Sequence, residues 1–113
     1  MQRGDVRWYR FAQPDKRRPV VILTHDRIID YLGEVTVAPV TATIRDIPSE
    51  VLLSPHKGMP RDSAINLDHI QTVSTYSNGI KRSGGALITT LSDEKMVQLR
   101  QALLFALGFD DES

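Results

Sequence analysis

The chain has 113 residues, of which 41% are hydrophobic and 25% charged, and its formal net charge is zero. This length supports one compact core and is too short for two, so we expect a single domain over residues 1–113. The zero net charge argues against the broad basic surface of a non-specific nucleic-acid binder. The absence of cysteine excludes both a disulfide framework and a thiolate metal site.

Targeting signals are not apparent in the sequence. The first ten residues lack the apolar run of a signal peptide, and no stretch approaches the roughly 18 apolar residues needed to cross a bilayer. We therefore expect a cytoplasmic protein that does not bind a membrane.

Positive charge gathers at one end of the chain. Residues 1–18 contain six Arg and Lys against two Asp, a net of +4, whereas residues 92–113 contain two positive and five negative side chains, a net of −3. Charges near a terminus usually do no more than keep the chain solvated. The basic cluster is nevertheless suited to an anionic partner.

Alternating and β-branched runs predict a mainly β fold with short strands. The predicted strands cover residues 5–11, 19–24, 34–43, 49–54, 63–74 and 86–90. Turns are predicted at 13–16 and 83–85, and a short helical turn over 25–31. Pro19 has no backbone N–H and belongs at the first residue of a strand or on an edge, which places Arg18 at a strand entrance.

The C-terminal segment has a different pattern. Ser92 is a good N-cap, and Asp93 and Glu94 complement the helix dipole. Apolar residues then recur at helical spacing up to Gly108, which predicts an amphipathic helix over residues 93–107 before a short acidic tail at 110–113. Short strands closed by one helix favour a small, strongly bent barrel.

The usual signatures of metal, nucleotide and serine-hydrolase chemistry are absent. The sequence has no GxGxxG, Walker or GxSxG motif, and His25, His56 and His69 are not spaced as zinc ligands. We therefore expect neither a metal ion nor a cofactor.

Four sequence blocks carry a more specific signal: RGDV at 3–6, RRPVVIL at 17–23, PVTAT at 39–43 and RDSAINLDHIQTV at 61–73. In order and spacing they resemble the MazF/PemK family of toxin endoribonucleases, and the resemblance extends from Arg3 to about Leu107. It implies an SH3-like small barrel of the MazF/Kid/CcdB type and a homodimer. It also implies metal-independent, sequence-selective cleavage of single-stranded mRNA that inhibits translation and growth, with a MazE-like antitoxin as partner.

The resemblance also assigns the catalytic residues. The catalytic Arg of the family precedes the Pro-Val of the second strand and matches Arg18, and its catalytic Thr lies in a small-residue Thr-Ala motif and matches Thr41. In the Kid branch an Arg-x-Asp motif supplies acid and base. Here the Asp matches Asp68 but the Arg position is Asn66, which disfavours that mechanism.

Four further residues are candidates for RNA binding or proton transfer. Asp68, His69 and Ser63 match family positions that contribute to base recognition, and Arg17 belongs to the basic cluster beside Arg18. Asp68 or a nearby histidine is also a candidate for proton transfer, because guanidinium is a poor base near neutral pH.

The proposed residue types suit RNA cleavage, because RNA supplies its own nucleophile, the 2′-OH. Arg18 offers a planar fork of donors for two phosphate oxygens, and Thr41 adds a neutral hydroxyl donor. The predicted products are a 2′,3′-cyclic phosphate and a 5′-OH.

Two other functions stay open from the sequence alone. One is a CcdB-like binder that poisons gyrase on the same fold, although the apolar end followed by acidic residues offers no clear anchor for gyrase. The other is a catalytically inactive interaction module that keeps the dimer and the antitoxin groove, against which the presence of both Arg18 and Thr41 argues.

Overall fold

A computed structural model describes residues 1–11, 17–55, 59, 61–75 and 86–110. The turns predicted at 13–16 and 83–85 and the end of the acidic tail, 111–113, lie outside these residues. Within them the strands are β1 (Asp5–Arg10), β2 (Arg17–Ile22), β3 (Glu34–Thr41), β4 (Glu50–Leu53), β5 (Ser63–Asn66), β6 (Gln71–Ser74) and β7 (Leu87–Thr90). A helix, α1 (Asp93–Leu107), follows, and 3-10 turns occupy Ile29–Tyr31 and Leu67–His69. The predicted mainly β architecture with a C-terminal helix is confirmed.

The strands form one antiparallel sheet in the order β4-β5-β3-β2-β1-β7, with β6 also pairing with β3. β3 is the longest strand and the centre of the sheet, because it pairs with β2 along one edge and with both β5 and β6 along the other. The sheet curls into a half-barrel around this strand.

Apolar side chains alternate between the two faces of the central strands, so each face carries its own cluster. On the face covered by α1, Val21 and Val40 pack with Ile65 and Leu99. On the opposite face, residues of β2 and β3 pack with a tyrosine of β1 and an isoleucine of the first 3-10 turn: Val20, Ile22, Val35, Val37, Tyr9 and Ile29. Two buried layers thus fix the directions of the side chains at the ends of β2 and β3.

The start of β2 differs from the prediction. The strand begins at Arg17 rather than at Pro19, and Arg18 lies within it, paired with Tyr9 of β1. The Leu23 N–H donates to the Thr36 carbonyl across the β2–β3 edge at 2.9 Å, and alternate residues of a strand point their N–H groups the same way. The missing N–H of Pro19 therefore faces β3, which leaves the pairing with β1 intact. Pairing with β3 ends at Val20–Pro39.

The predicted strand over residues 63–74 is two strands separated by the 3-10 turn at Leu67–His69. From Thr41 to Val37, β3 advances four residues while its partners advance seven, from Ala64 to Gln71, so three residues leave the ladder. Pro39 lies within this interval and has no N–H to donate. The turn places Asp68 and His69 on the surface.

The helix agrees with the prediction at both ends. Ser92 Oγ accepts a hydrogen bond from the Lys95 N–H at 3.2 Å, and Gly108 takes a left-handed conformation at φ 77° while its N–H donates to the Phe105 carbonyl. Leu99 and Ala102 are buried against the sheet. None of the helices in the described part of the chain is long and apolar enough to span a membrane.

Candidate active site

An open cleft of about 420 Å³ lies where β2 and β3 end. Three of the residues that the sequence singled out, Arg18, Thr41 and His69, line this cleft together. The remaining lining residues come from the end of β1, from β3 and the loop after it, and from the two strands beside the Leu67–His69 turn: Phe11, Pro39, Thr43, Arg45, Asn66 and Gln71.

Arg18 and Thr41 line the same cleft from the ends of β2 and β3. Pairing between these strands ends at Val20–Pro39, two residues short of Arg18 and of Thr41. Because alternate residues of a strand point to the same face, Arg18 and Thr41 project from the face that carries Val20 and Pro39. Two residues far apart in the sequence therefore share one site because β2 and β3 pair.

The Arg18 guanidinium is available to a ligand. Arg18 is exposed, and none of the described residues forms a hydrogen bond or an ion pair with its side chain. Its positive charge is therefore not neutralised within the described part of the chain. A guanidinium that no described residue pairs with, at the wall of an open cleft, is suited to binding an anion.

The hydroxyl of Thr41 is oriented by the chain that follows it. The Thr43 N–H donates to Thr41 Oγ1 at 3.1 Å, so one acceptor position of this oxygen is used. The hydroxyl hydrogen is then free to donate to a ligand. Thr41 is half-buried and lines the same cleft as Arg18.

Arg45, in the loop after β3, lines the cleft together with its hydrogen-bond partner Asn66 and was not singled out from the sequence. Its Nε donates to Glu50 at 2.7 Å, and its Nη2 donates to Asn66 Oδ1 at 2.9 Å and to Asp68 Oδ2 at 2.8 Å. The only sequence signal was an Arg five residues before a Glu in a loop, which is common in surface segments. Arg45 therefore gives Asp68 a guanidinium partner, although the chain has Asn66 where the Arg-x-Asp motif of the Kid branch has an arginine.

Glu50 holds the Arg45 side chain from its buried side. Its side chain is 1% exposed, and its Oε1 accepts hydrogen bonds from the backbone N–H groups of Arg45 and Asp46 at 3.0 and 3.1 Å. Burial alone would raise the pKa of Glu50, but the hydrogen bonds from the Arg45 side chain and from these two N–H groups outweigh burial and lower the pKa below its ordinary value. Asp46 is held at φ 58° by the same loop.

This lowered pKa predicts a stability change in acid. A carboxylate whose folded pKa lies below its unfolded value contributes stability above the unfolded pKa and loses it as the pH falls through the folded pKa. We expect Glu50→Gln to be about 1–3 kcal/mol less stable than the unaltered protein at pH 7, because it weakens charge-assisted hydrogen bonds. The difference should shrink as the pH falls below the ordinary value of 4.5. Urea unfolding between pH 7 and pH 3 measures both quantities.

The control for this prediction is Glu34→Gln, which changes an exposed glutamate at the start of β3. Its stability should follow that of the unaltered protein across the whole pH range. A constant difference between Glu50→Gln and the unaltered protein down to pH 3 would contradict the role assigned to Glu50.

The other predicted residues occupy different places. Asp68 is adjacent to the cleft, and its Oδ2 accepts hydrogen bonds from both Arg45 and the Ser49 hydroxyl at 2.8 Å. Arg17 lies 4.7 Å above the Trp8 ring, and strand alternation directs it to the opposite face from Arg18. Ser63 is buried, and its Oγ has no hydrogen-bond partner among the described residues.

Ser63 lines a second cavity of about 280 Å³ on the far side of Thr41. Trp8, Pro19 and Met59 form much of its apolar wall. Thr41 lines both spaces, so the two cavities adjoin at this residue. The structure therefore brings Arg18, Thr41 and His69 into one cleft, sets Asp68 beside it, bonded to Arg45, and places Ser63 and Arg17 outside it.

Comparison with known proteins adds to this geometry. The model of the family of PemK-like, MazF-like toxins of type II toxin-antitoxin systems matches residues 2–107. The chain belongs to this family. A relative in the family, a probable endoribonuclease MazF5 of Mycobacterium tuberculosis, is 48% identical over 73 residues, which cover 64% of this chain and 66% of the relative. The chain thus spans just under two thirds of the length of this curated relative.

Solved structures of family members share the fold. The Mycobacterium tuberculosis toxin MazF-mt6 superimposes with a TM-score of 0.79 at 28% identity, covering 95% of this chain and 99% of the toxin. An endoribonuclease in complex with its cognate antitoxin, from a mycobacterial species, superimposes with a TM-score of 0.76 at 23% identity, covering 98% of each chain. The half-barrel closed by a C-terminal helix is therefore the fold of MazF toxins.

Proposed function

We propose that this protein is the toxin of a type II toxin-antitoxin system and a metal-independent endoribonuclease that cleaves single-stranded mRNA at preferred sequences. The observation that carries the proposal is the presence of Arg18 and Thr41 in one open cleft, with an Arg18 guanidinium that no described residue neutralises. Membership of the toxin family and the curated relative named as a probable endoribonuclease support it.

In the proposed reaction the 2′-oxygen attacks the adjacent phosphorus as its proton is removed, and the bond from phosphorus to the 5′-oxygen breaks. The 5′-oxygen takes a proton from solvent, which leaves a 2′,3′-cyclic phosphate and a 5′-OH. Arg18 stabilises the charge that develops on the phosphoryl oxygens, and the Thr41 hydroxyl donates to the same oxygens. Both groups act on the transition state rather than on the nucleophile.

Removal of the 2′-OH proton needs another group, because guanidinium is a poor base near neutral pH. We assign this step to His69, whose side chain lines the cleft with Arg18 and Thr41. Asp68 is the weaker candidate, because one of its oxygens already accepts two hydrogen bonds. A carboxylate held in this way is better suited to orienting Arg45 than to accepting a proton.

The proposal includes two partners and a location. We propose that the protein forms a homodimer, acts in the cytoplasm and binds a MazE-like antitoxin. The antitoxin is supported by a structural relative, an endoribonuclease in complex with its cognate antitoxin. A flexible acidic segment would compete with RNA for the unneutralised Arg18. Exposed apolar side chains on and beyond α1, notably Val97, Phe105 and Phe109, are suited to a protein contact.

The proposal is tested with purified protein, single-stranded RNA and excess EDTA. We expect cleavage at a few preferred sites, with 5′ ends that polynucleotide kinase labels without prior phosphatase treatment, because they carry a hydroxyl. RNA left intact in both EDTA and Mg²⁺ would refute the proposal. Intact RNA together with inhibited gyrase supercoiling would instead support a CcdB-like binder.

A further inference from the structure

We propose that Arg45 is a specificity-determining residue that binds the edge of an RNA base next to the scissile phosphate. The inference rests on the proposed function and extends it, because it adds a residue that reads sequence to those that act on phosphorus. It is carried by the donors that remain on Arg45, by the fixed orientation of its guanidinium and by the charge around it.

The donor count leaves one side of the Arg45 guanidinium free. A guanidinium has five N–H donors: one on Nε and two on each terminal nitrogen. Nε donates to Glu50, and Nη2 donates to Asn66 and Asp68. The two donors on Nη1 have no partner within the described part of the chain, and Arg45 lines the cleft.

The orientation of this group is set before any ligand binds. Glu50 is held by two backbone N–H groups, and Asp68 is held by the Ser49 hydroxyl at 2.8 Å. Arg45 is 40% exposed, so it reaches the solvent of the cleft while three acceptors fix its plane. A guanidinium fixed in this way loses little conformational entropy on binding, and recognition through it is correspondingly selective.

The local charge favours a base over a phosphate. Arg45 contributes +1, whereas the carboxylates of Glu50 and Asp68, both ion-paired with it, contribute −2, so this end of the cleft carries a net charge of −1. A phosphate would be repelled there and attracted instead to Arg18, which no described residue neutralises. An uncharged ring with hydrogen-bonding edges matches the Arg45 end.

The remaining polar atoms also match a base edge. Asp68 Oδ1 can accept a hydrogen bond and Asn66 Nδ2 can donate one, and neither atom has a partner among the described residues. The other side-chain atoms of the two residues, Asp68 Oδ2 and Asn66 Oδ1, are already hydrogen-bonded. Unstacked bases in single-stranded RNA expose donors and acceptors side by side. With the phosphate on Arg18 and Thr41, a neighbouring base can occupy the Arg45 end of the same cleft.

The test maps cleavage sites in a randomised single-stranded RNA library. Unaltered protein, Arg45→Lys, Arg45→Gln and the control Arg100→Gln, which changes an exposed residue of α1, are each sequenced at their product 5′ ends. We expect both Arg45 variants to lose base preference at one position by about 5- to 100-fold, the range that one good side-chain contact to a base provides. Preference at the other positions and the profile of Arg100→Gln should be unchanged.

A second measurement separates base contact from loop support. An abasic nucleotide at the affected position should slow the unaltered protein by the same factor as the Arg45→Lys substitution, and should slow Arg45→Lys no further. Circular dichroism checks the fold of each variant. If Arg45→Gln unfolds, Arg45→Lys carries the test, because it keeps a positive charge beside Glu50 and Asp68.

Two results would overturn the inference. A uniform loss of cleavage rate with unchanged sequence preference would mean that Arg45 only stabilises the loop after β3. A fall of about one in the slope of log affinity against log salt for Arg45→Gln, with preference intact, would make Arg45 a phosphate contact. RNA left intact by the unaltered protein would refute the proposed function instead, so the two failures are distinguishable.

Discussion

Replacing Arg18 with glutamine is expected to lower the rate of RNA cleavage by at least 100- to 1,000-fold. Loss of one preorganised donor to a developing oxyanion typically costs this factor, and glutamine also removes the positive charge. Arg18→Lys should recover only part of the loss, because an ammonium keeps the charge but lacks the planar fork that binds two phosphate oxygens. Single-turnover cleavage of a labelled RNA with saturating protein measures the rate at phosphorus separately from binding.

The matched control is Arg100→Gln, which removes the same charge from the exposed surface of α1. Its cleavage rate should stay within about threefold of the unaltered protein, since it alters only the distant field around the molecule. Equal losses in the two variants would mean that total charge, and not position in the cleft, determines activity. An unchanged rate in Arg18→Gln would remove Arg18 from the mechanism.

Ile65→Ala is expected to lower the free energy of unfolding by about 2–5 kcal/mol, the range for removing a large aliphatic side chain from a core. Ile65 is fully buried and pairs with both Val40 of β3 and Val51 of β4. The cavity would open between the sheet and α1, where backbone pairing on both sides limits collapse. Chemical denaturation followed by far-UV circular dichroism gives the difference.

Leu52→Ala provides the comparison on the neighbouring strand. Leu52 pairs with Ala64 but is 46% exposed, so its truncation should cost less than about 1 kcal/mol. A similar cost for the two variants would contradict the placement of the core on the α1 side of β5.

The helix could be predicted from the sequence to the residue because its determinants are local. Ser92, the acidic first turn and Gly108 each act within a few residues of the terminus that they define. The strands were predicted less closely. The continuous strand expected over 63–74 is interrupted because Pro39, on another strand, cannot donate to that edge.

The candidate site shows the same contrast between residues with local sequence signals and residues that only the folded chain brings together. Arg18 and Thr41 were identified through the sequence blocks around them, and their proximity follows from the β2–β3 register. Arg45 could not be identified, because its three acceptor residues come from β4, β5 and the following turn. Only the folded sheet brings Glu50, Asn66 and Asp68 to one guanidinium, and no local pattern encodes that convergence.

Pro19 has one further consequence. Its missing N–H faces β3 at the position where the next rung of the ladder would form, so the Val40 carbonyl meets no backbone donor there on β2. Only the Val40 N–H and the Pro19 carbonyl remain to form that rung, and pairing between the two strands ends beside it at Val20–Pro39. Arg18 and Thr41 therefore project from the strand ends just past a rung that a single imino acid has deprived of one of its two hydrogen bonds.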